Sequence, residues 1–309
     1  MRFVVVGGRG FIGSHVAAAL SSGSNPVLVV DPTEGSPAKG EASIAHVKGV
    51  LPYEEMRKLL QPGDVVIWAA GATVPLSANE DVRNELANNL VPVVEAAQAS
   101  ADAGVAQFVF ISSGGAIYKD NPSGGSHDET SELDPVSAYG VGKIASEGFL
   151  RVLSLAKSLP CTVLRPSNPY GPRQNPFGKQ GFVAIAIRKI LVGEPIEIYG
   201  QEIAKDFFFV EDLARAVVLA AASRSKWSVY NVGSGVCTPL MQIIERIEST
   251  LSKKAVLRFV EGSRYDKPVT CLDIGKIRGE LAWEPRVTMD DGLQATCEYV
   301  VRVVQGRAD

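Results

Sequence analysis

The chain has 309 residues, of which 46% are hydrophobic and 21% charged, and its net charge is −3. That balance excludes disorder, and the spread of Lys and Arg along the whole length leaves no footprint for nucleic acid or an anionic membrane. Cys161, Cys237, Cys271 and Cys297 form no CxxC pair, and His15, His46 and His127 lack ligand spacing. The expectation is therefore buried thiols in a reducing compartment, with neither a disulfide framework nor a metal. A strand-like run begins at Arg2 and leaves no room for a signal peptide. No apolar stretch approaches the roughly 20 residues a membrane helix needs, so the cytoplasm is the expected location.

In chain order, short apolar runs rich in Val, Ile and Phe predict strands at 3–6, 27–30, 64–69, 107–112 and 161–164. Their near-continuous hydrophobicity is that of strands covered on both faces. Helical patterns separate them at 11–22, 53–60, 80–103 and 137–158. Strand–helix alternation of this kind predicts an α/β fold, a doubly wound parallel sheet of the Rossmann type. After Arg165 the texture changes: Pro166 to Gly181 holds four prolines and three glycines and reads as a long loop. Further helices are predicted near 182–192, 211–222, 240–251 and 289–304. The division expected is a dinucleotide-binding domain over 1–165 and a smaller α/β substrate domain over 166–309, with elements near 207–233 returning to the first.

The segment GGRGFIG places Gly7, Gly10 and Gly13 between the first strand and the first helix. Glycine permits the tight turn and close backbone approach, and the helix start beyond it, with Phe11 and Ile12, offers unpaired N–H groups to a pyrophosphate. Asp31 ends the second strand, 18 residues after Gly13. A carboxylate there accepts both hydroxyls of an adenosine ribose and repels a 2′-phosphate, and no arginine follows directly; NAD is favoured over NADP. Farther on, Tyr139 and Lys143 stand at i, i+4 and share a helix face. An ammonium beside the phenol, together with a positive nicotinamide ring, is expected to lower its pKa and make Tyr139 a general base toward a sugar hydroxyl.

These pieces together resemble the extended short-chain dehydrogenase/reductase family, and within it the UDP-glucose 4-epimerase group of sugar-nucleotide epimerases. The matching segments are GGRGFIG, Asp31, DVVIWAAG at 64–71, NNLVPVVEAA at 88–97, FVFISSGGAIY at 108–118, YGVGK at 139–143, LRPSNPYGPRQNPFGKQG at 164–181, KDFFFVEDLARAV at 205–217 and YNVGSG at 230–235. The resemblance implies an NAD-dependent epimerase that passes through a 4-keto sugar. Tyr139 matches the base and Lys143 its partner. Ala69, Ala70, Asn89 and Pro166 match the cofactor side of the site. Asn168, Arg173, Lys205 and Arg264 match the side that binds the nucleotide sugar. It also implies a homodimer in which the helices at 80–103 and 137–158 pair with their copies, although the same faces could be buried within one chain.

Several positions depart from the family pattern. Gly114 stands where a Ser or Thr normally touches the reacting oxygen; Ser112, Ser113 or a water is left to replace that hydroxyl, with Ser113 the candidate. Trp68 replaces a His, Lys205 an Arg, and Gly142 the Ser of YGxSK. The run Gly114-Gly115-Ala116 carries no carboxylate, which disfavours the dehydratases of this fold. Two other readings stand beside the epimerase: a reductase or dehydrogenase with a freely exchanging cofactor, and a catalytically weak NAD-binding sensor. The sequence leaves the sugar open, although small residues near Thr270 and Cys271 suit an N-acetyl group.

Overall fold

The apolar runs of the first half pair side by side as predicted. In the computed structural model, which describes residues 1–23, 25–33, 44–72, 78–121, 125–199, 203–260 and 269–306, β1 (Phe3–Val6), β2 (Val27–Asp31), β3 (Ile44–Lys48), β4 (Val65–Trp68), β5 (Gln107–Ile111) and β6 (Cys161–Pro166) all lie parallel. The sheet is completed by β10 (Trp227–Val232), giving seven strands in the order β10-β6-β5-β4-β1-β2-β3. Strand order reverses between β1 and β4, and a ligand crevice opens at the carboxyl ends of strands at such a reversal.

Helices cover both faces. On one side α1 (Phe11–Ser22) packs with α8 (Val210–Ser223), enclosing Val5, Val16, Leu20, Ile67, Leu213 and Val217. On the other, α2 (Tyr53–Leu59), α4 (Val91–Ala103) and α6 (Ala138–Lys157) enclose Val4, Met56, Val66, Val93, Phe108 and Leu150. Trp68 is part of this second core. Burial on both faces is why the strands read as continuous apolar runs.

The predicted helix at 80–103 is not one regular helix. It begins as α3 (Val82–Glu85), capped by Asp81, and passes through a π-helical segment at Leu86–Leu90 before resuming as α4. Wider turns of this kind concentrate at functional sites, and Asn89 lies within it.

The second half adds a third core around α7 (Phe182–Val192), α9 (Leu240–Leu251) and α11 (Met289–Val304). Beside it run β7 (Asn168–Tyr170), β9 (Ala204–Phe209), β11 (Cys237–Pro239) and β13 (Val269–Thr270) in a four-stranded sheet, and a parallel pair of β8 (Pro195–Tyr199) and β12 (Val256–Val260). Two expectations are corrected here. The segment after Arg165 is not all loop, because Asn168, Pro169 and Tyr170 pair in parallel with Phe207, Phe208 and Phe209; a proline is tolerated in a strand with one open edge. Nor are all four cysteines thiols. Cys237 and Cys271 are joined as a disulfide with Cα atoms 5.4 Å apart, while Cys161 and Cys297 are buried and free. Their separation of 34 residues hides the pairing, which arises because β11 and β13 both flank β9. Among the described residues no helix is long and apolar enough to cross a membrane.

Candidate active site

The glycine turn sits at the carboxyl end of β1. The Gly7 amide donates to the Val30 carbonyl (2.8 Å) and the Gly10 amide to the Gly7 carbonyl (3.1 Å). Gly7 has φ +79°, and a Cβ on it would come within 2.6 Å of the Ala70 backbone. A Cβ on Gly13 would collide with the Gly7 carbonyl oxygen. The turn, the start of α1 and the Ala69–Ala70 pair are therefore packed backbone to backbone. Phe11 and Ile12 are the first residues of α1, with their N–H groups at its positive end. A cradle from which side chains are excluded fits the pyrophosphate of a dinucleotide. Pro166 ends β6 in register with Val232.

Asp31 is 5% exposed at the end of β2, where Oδ2 accepts from the Arg9 amide (3.0 Å) and Oδ1 from the Thr33 amide (2.9 Å) and hydroxyl (2.6 Å). The carboxylate is held in place by these three donors. Although no arginine follows Asp31 directly, one arrives from the glycine turn: Arg9 Nε donates to His46 Nε2 on β3 (2.6 Å). Burial and the Arg9 charge keep the His46 pKa below its ordinary value, which suits an imidazole accepting from a guanidinium.

Tyr139 and Lys143 occupy the first turns of α6, whose N-cap Ser137 accepts from the Gly140 amide (3.2 Å). Lys143 Nζ donates to the Ile111 carbonyl at the end of β5 (2.9 Å) and lies 5.5 Å from the Tyr139 ring centre and 4.9 Å from that of Phe110. The two serines after β5 part company, as successive residues of an extended segment must. Ser112 turns behind the site, its Oγ donating to Glu147 Oε1 (2.5 Å), whereas Ser113 faces the Tyr139 phenol and favours its ionisation. Ser113, Tyr139 and Lys143 therefore form one cluster, and Ser112 stands outside it.

Burial acts against the charged form of both groups. Burial pushes the Tyr139 pKa up to about 12, against a downward pull from the Ser113 hydroxyl and with a further upward push from Glu85. Burial also brings Lys143 down to about 8, with Glu85 and then Glu147 pulling it back up. In both groups desolvation is the first cause of the shift. The positive charge of an oxidised nicotinamide ring would oppose the rise at Tyr139.

The place of the missing hydroxyl is filled. A Cβ on Gly114 would lie 2.5 Å from Leu272 Cδ1 and 2.9 Å from the Arg165 carbonyl oxygen. Gly115 is open toward Asn168, whose Oδ1 would be 3.8 Å from a Cβ there and whose Nδ2 donates to the Asp206 carbonyl (3.1 Å). Asn89 links the π segment to the loop after β4, Oδ1 accepting from the Ala72 amide (2.8 Å) and Nδ2 donating to Glu85 Oε2 (2.8 Å). Lys205 sits within β9, in register with Thr238 on one side and Thr270 on the other. Arg173, exposed and in the left-handed region at φ +66°, is set beside α1, where His15 Nε2 meets the Pro172 carbonyl (2.9 Å). Arg264 falls outside the described residues.

Sequence reasoning missed a buried polar network behind the cluster. Arg165 grips Glu147 through Nη2–Oε2 (2.7 Å) and Nε–Oε1 (3.1 Å), and its Nη1 reaches the Tyr118 hydroxyl (2.9 Å). Tyr118 in turn donates to Asn231 Oδ1 (2.6 Å) and stacks on His127. The signal for Glu147 was present, since Tyr139, Lys143 and Glu147 recur every four residues on one helix face.

Residues 3–233 match the NAD dependent epimerase/dehydratase family. The chain is similar to the UDP-glucose 4-epimerase of Thermotoga maritima, solved with UDP-glucose: identity is 30%, TM-score 0.90, and 98% of this chain and 100% of that one are covered. It is similar as well to the Thermus thermophilus UDP-glucose 4-epimerase solved with NAD, with 29% identity, TM-score 0.90 and coverage of 97% and 99%. Among curated proteins it is 28% identical to the dTDP-4-dehydro-6-deoxyglucose reductase of Escherichia coli, over 94% of each chain.

Proposed function

Because the chain belongs to the NAD-dependent epimerase/dehydratase family, we propose that it inverts carbon 4 of a UDP-linked sugar through a transient 4-keto intermediate. The observation that carries this reading is the convergence of Tyr139, Lys143 with its Nζ 5.5 Å from the ring centre, and Ser113, beside a glycine cradle suited to NAD. Bound NAD supplies the acceptor and donor of hydride. Tyr139 takes the proton of the 4-hydroxyl and returns it once the ketone has turned over. Ser113 holds the reacting oxygen and donates to the phenolate, and Lys143 donates to the nicotinamide ribose. Gly7, Gly10, Phe11, Ile12, Gly13, Asp31, Ala69, Ala70, Asn89 and Pro166 bind the cofactor. Asn168, Arg173, Lys205 and Arg264 bind the nucleotide sugar, within a substrate domain formed mainly by residues 166–309.

A second reading has its own support. Likeness to a reductase favours a net reduction of a 4-keto sugar. Incubation with UDP-glucose, UDP-galactose, their N-acetyl forms and a dTDP-4-keto sugar, read by NMR and by absorbance of reduced cofactor, separates the two. The epimerase gives the C4 epimer with no net change in NAD. Stoichiometric consumption of NADH by the keto sugar, without epimerisation, defeats the proposal.

We also infer a homodimer. Val82, Leu86 and Val91 on α3–α4 and Phe149, Val152 and Leu155 on α6 are exposed apolar residues on helices that pack together. Contiguous exposure of this kind suits a partner surface. Sedimentation equilibrium should give twice the chain mass of 32.9 kDa, and a monomer mass at micromolar concentration rejects the dimer. The proposed location is the cytoplasm; fractionation of the producing cells checks it, and recovery in an extracytoplasmic fraction counts against it.

A further inference from the structure

Ser112 stands outside the reacting cluster, yet its buried hydroxyl is fastened to the helix that carries Tyr139 and Lys143. Where β5 runs out, consecutive residues are tied to neighbouring elements. The Ile111 carbonyl accepts from Lys143 Nζ (2.9 Å). The Ser112 amide donates to the Leu164 carbonyl on β6 (2.7 Å), and its Oγ donates to Glu147 Oε1 (2.5 Å). Ser113 is still extended and is the last residue before a short helix at Gly114–Ile117. Successive side chains of an extended segment point to opposite sides. The bond that fixes Ser112 on one side therefore also sets where Ser113 stands on the other.

Glu147 is itself held from behind. It lies one helical turn beyond Lys143 on the face that carries Tyr139, and both of its oxygens accept from Arg165 on β6, Nη2–Oε2 at 2.7 Å and Nε–Oε1 at 3.1 Å. A hydroxyl bonded to an ionised carboxylate is held more tightly than one on a neutral acceptor. Arg165, Glu147 and Ser112 thus form a strut that runs from β6 through the helix to the end of β5. Satisfying the acid does not require the serine, since Oε1 keeps the guanidinium as a partner without it. What the serine adds is a constraint on the residue next to it.

We propose that Ser112 is a positioning residue: its bond to the Arg165-held Glu147 fixes Ser113 at its working place beside Tyr139. The inference rests on the reading of Ser113 as the hydroxyl that meets the reacting oxygen. Alignment of this kind is felt steeply, because misplacing a reacting group by about 1 Å costs on the order of 10²-fold in rate.

The test is a double-mutant cycle in the full-length protein with NAD bound. Epimerisation of UDP-galactose and of UDP-N-acetylgalactosamine is followed by NMR, with rates taken per folded chain. Ser112→Ala removes one oxygen and leaves Glu147 with Arg165, so the fold should persist. Its kcat should fall by about 10–10²-fold with KM little changed. Ser113→Ala should lower kcat as well. Adding Ser112→Ala to it should cost less than about threefold more, because the hydroxyl to be placed is already gone. Glu147→Asp keeps a charge for Arg165 but draws the carboxylate back from Ser112; it should give the same pattern and serves if Ser112→Ala folds poorly. A parental rate in Ser112→Ala, or a loss of equal size with and without Ser113, overturns the proposal, and the strut then serves the fold alone. If Ser113→Ala turns over at the parental rate, or the parent converts neither sugar, the reading beneath the proposal fails and takes the proposal with it.

Discussion

Replacing Tyr139 by phenylalanine is expected to reduce sugar turnover by about 10²–10⁴-fold, the span that a positioned general acid–base supplies. The change removes one oxygen from a ring that is otherwise kept. The hydroxyl faces Ser113, whose side chain makes no helix-cap hydrogen bond. Folding and NAD affinity should therefore stay near those of the parent, and the loss should fall in kcat more than in KM. The sign of the pH effect follows from the same residue. With the phenol pushed up to about 12 by burial, turnover should climb as pH rises and as the oxidised cofactor saturates the site. A Tyr139→Phe enzyme that turns over sugars at the parental rate would remove the basis of the mechanism.

The second large effect concerns stability. Arg165 and Glu147 have side chains only 7% and 8% exposed, and their ion pair closes at 2.7 Å. Arg165→Met leaves the Glu147 carboxylate buried with, among the described residues, only the Ser112 hydroxyl bonded to it, and breaking a buried pair in this way costs about 3–5 kcal/mol. For a chain of this size the melting temperature should drop by roughly 2–4 °C per kcal/mol. The double variant Arg165→Met/Glu147→Leu should recover much of that loss, since paired removal leaves no orphan charge. Calorimetric melts of the three proteins decide it. A single variant that melts within about 2 °C of the parent would mean that the pair is solvated, contrary to its burial.

How much was visible beforehand depended on whether each residue's task imposed a local pattern. The central strands and the helices at 11–22, 182–192, 240–251 and 289–304 were legible because burial on two faces, or on one helical stripe, writes a period into the sequence. The edge strand Ile44–Lys48 was not, since its residues are half-buried or exposed and carry no apolar run. The short helix Gly275–Leu281 hides behind two glycines, and Asn168–Tyr170 behind a central proline. Tyr139 and Lys143 were legible through helical spacing, and the glycine turn through its place after a strand. The choice between Ser112 and Ser113 was not, because it depends on which face of β5's extension each hydroxyl takes. Glu85 was invisible for a similar reason: it ends a four-residue helix too short to carry a sequence period, and only the missing side chain at Gly142, against which it packs, hinted at something held opposite.

A Cβ on Gly114 would meet Leu272 and, from the other direction, the Arg165 carbonyl oxygen. Serine introduced at 114 therefore strains against side chain and backbone together, and trimming Leu272 to alanine relieves only the first of these while opening a void of its own. The seat is closed by the main chain as well as by the leucine, which leaves Ser113 as the neighbouring hydroxyl with room beside the phenol.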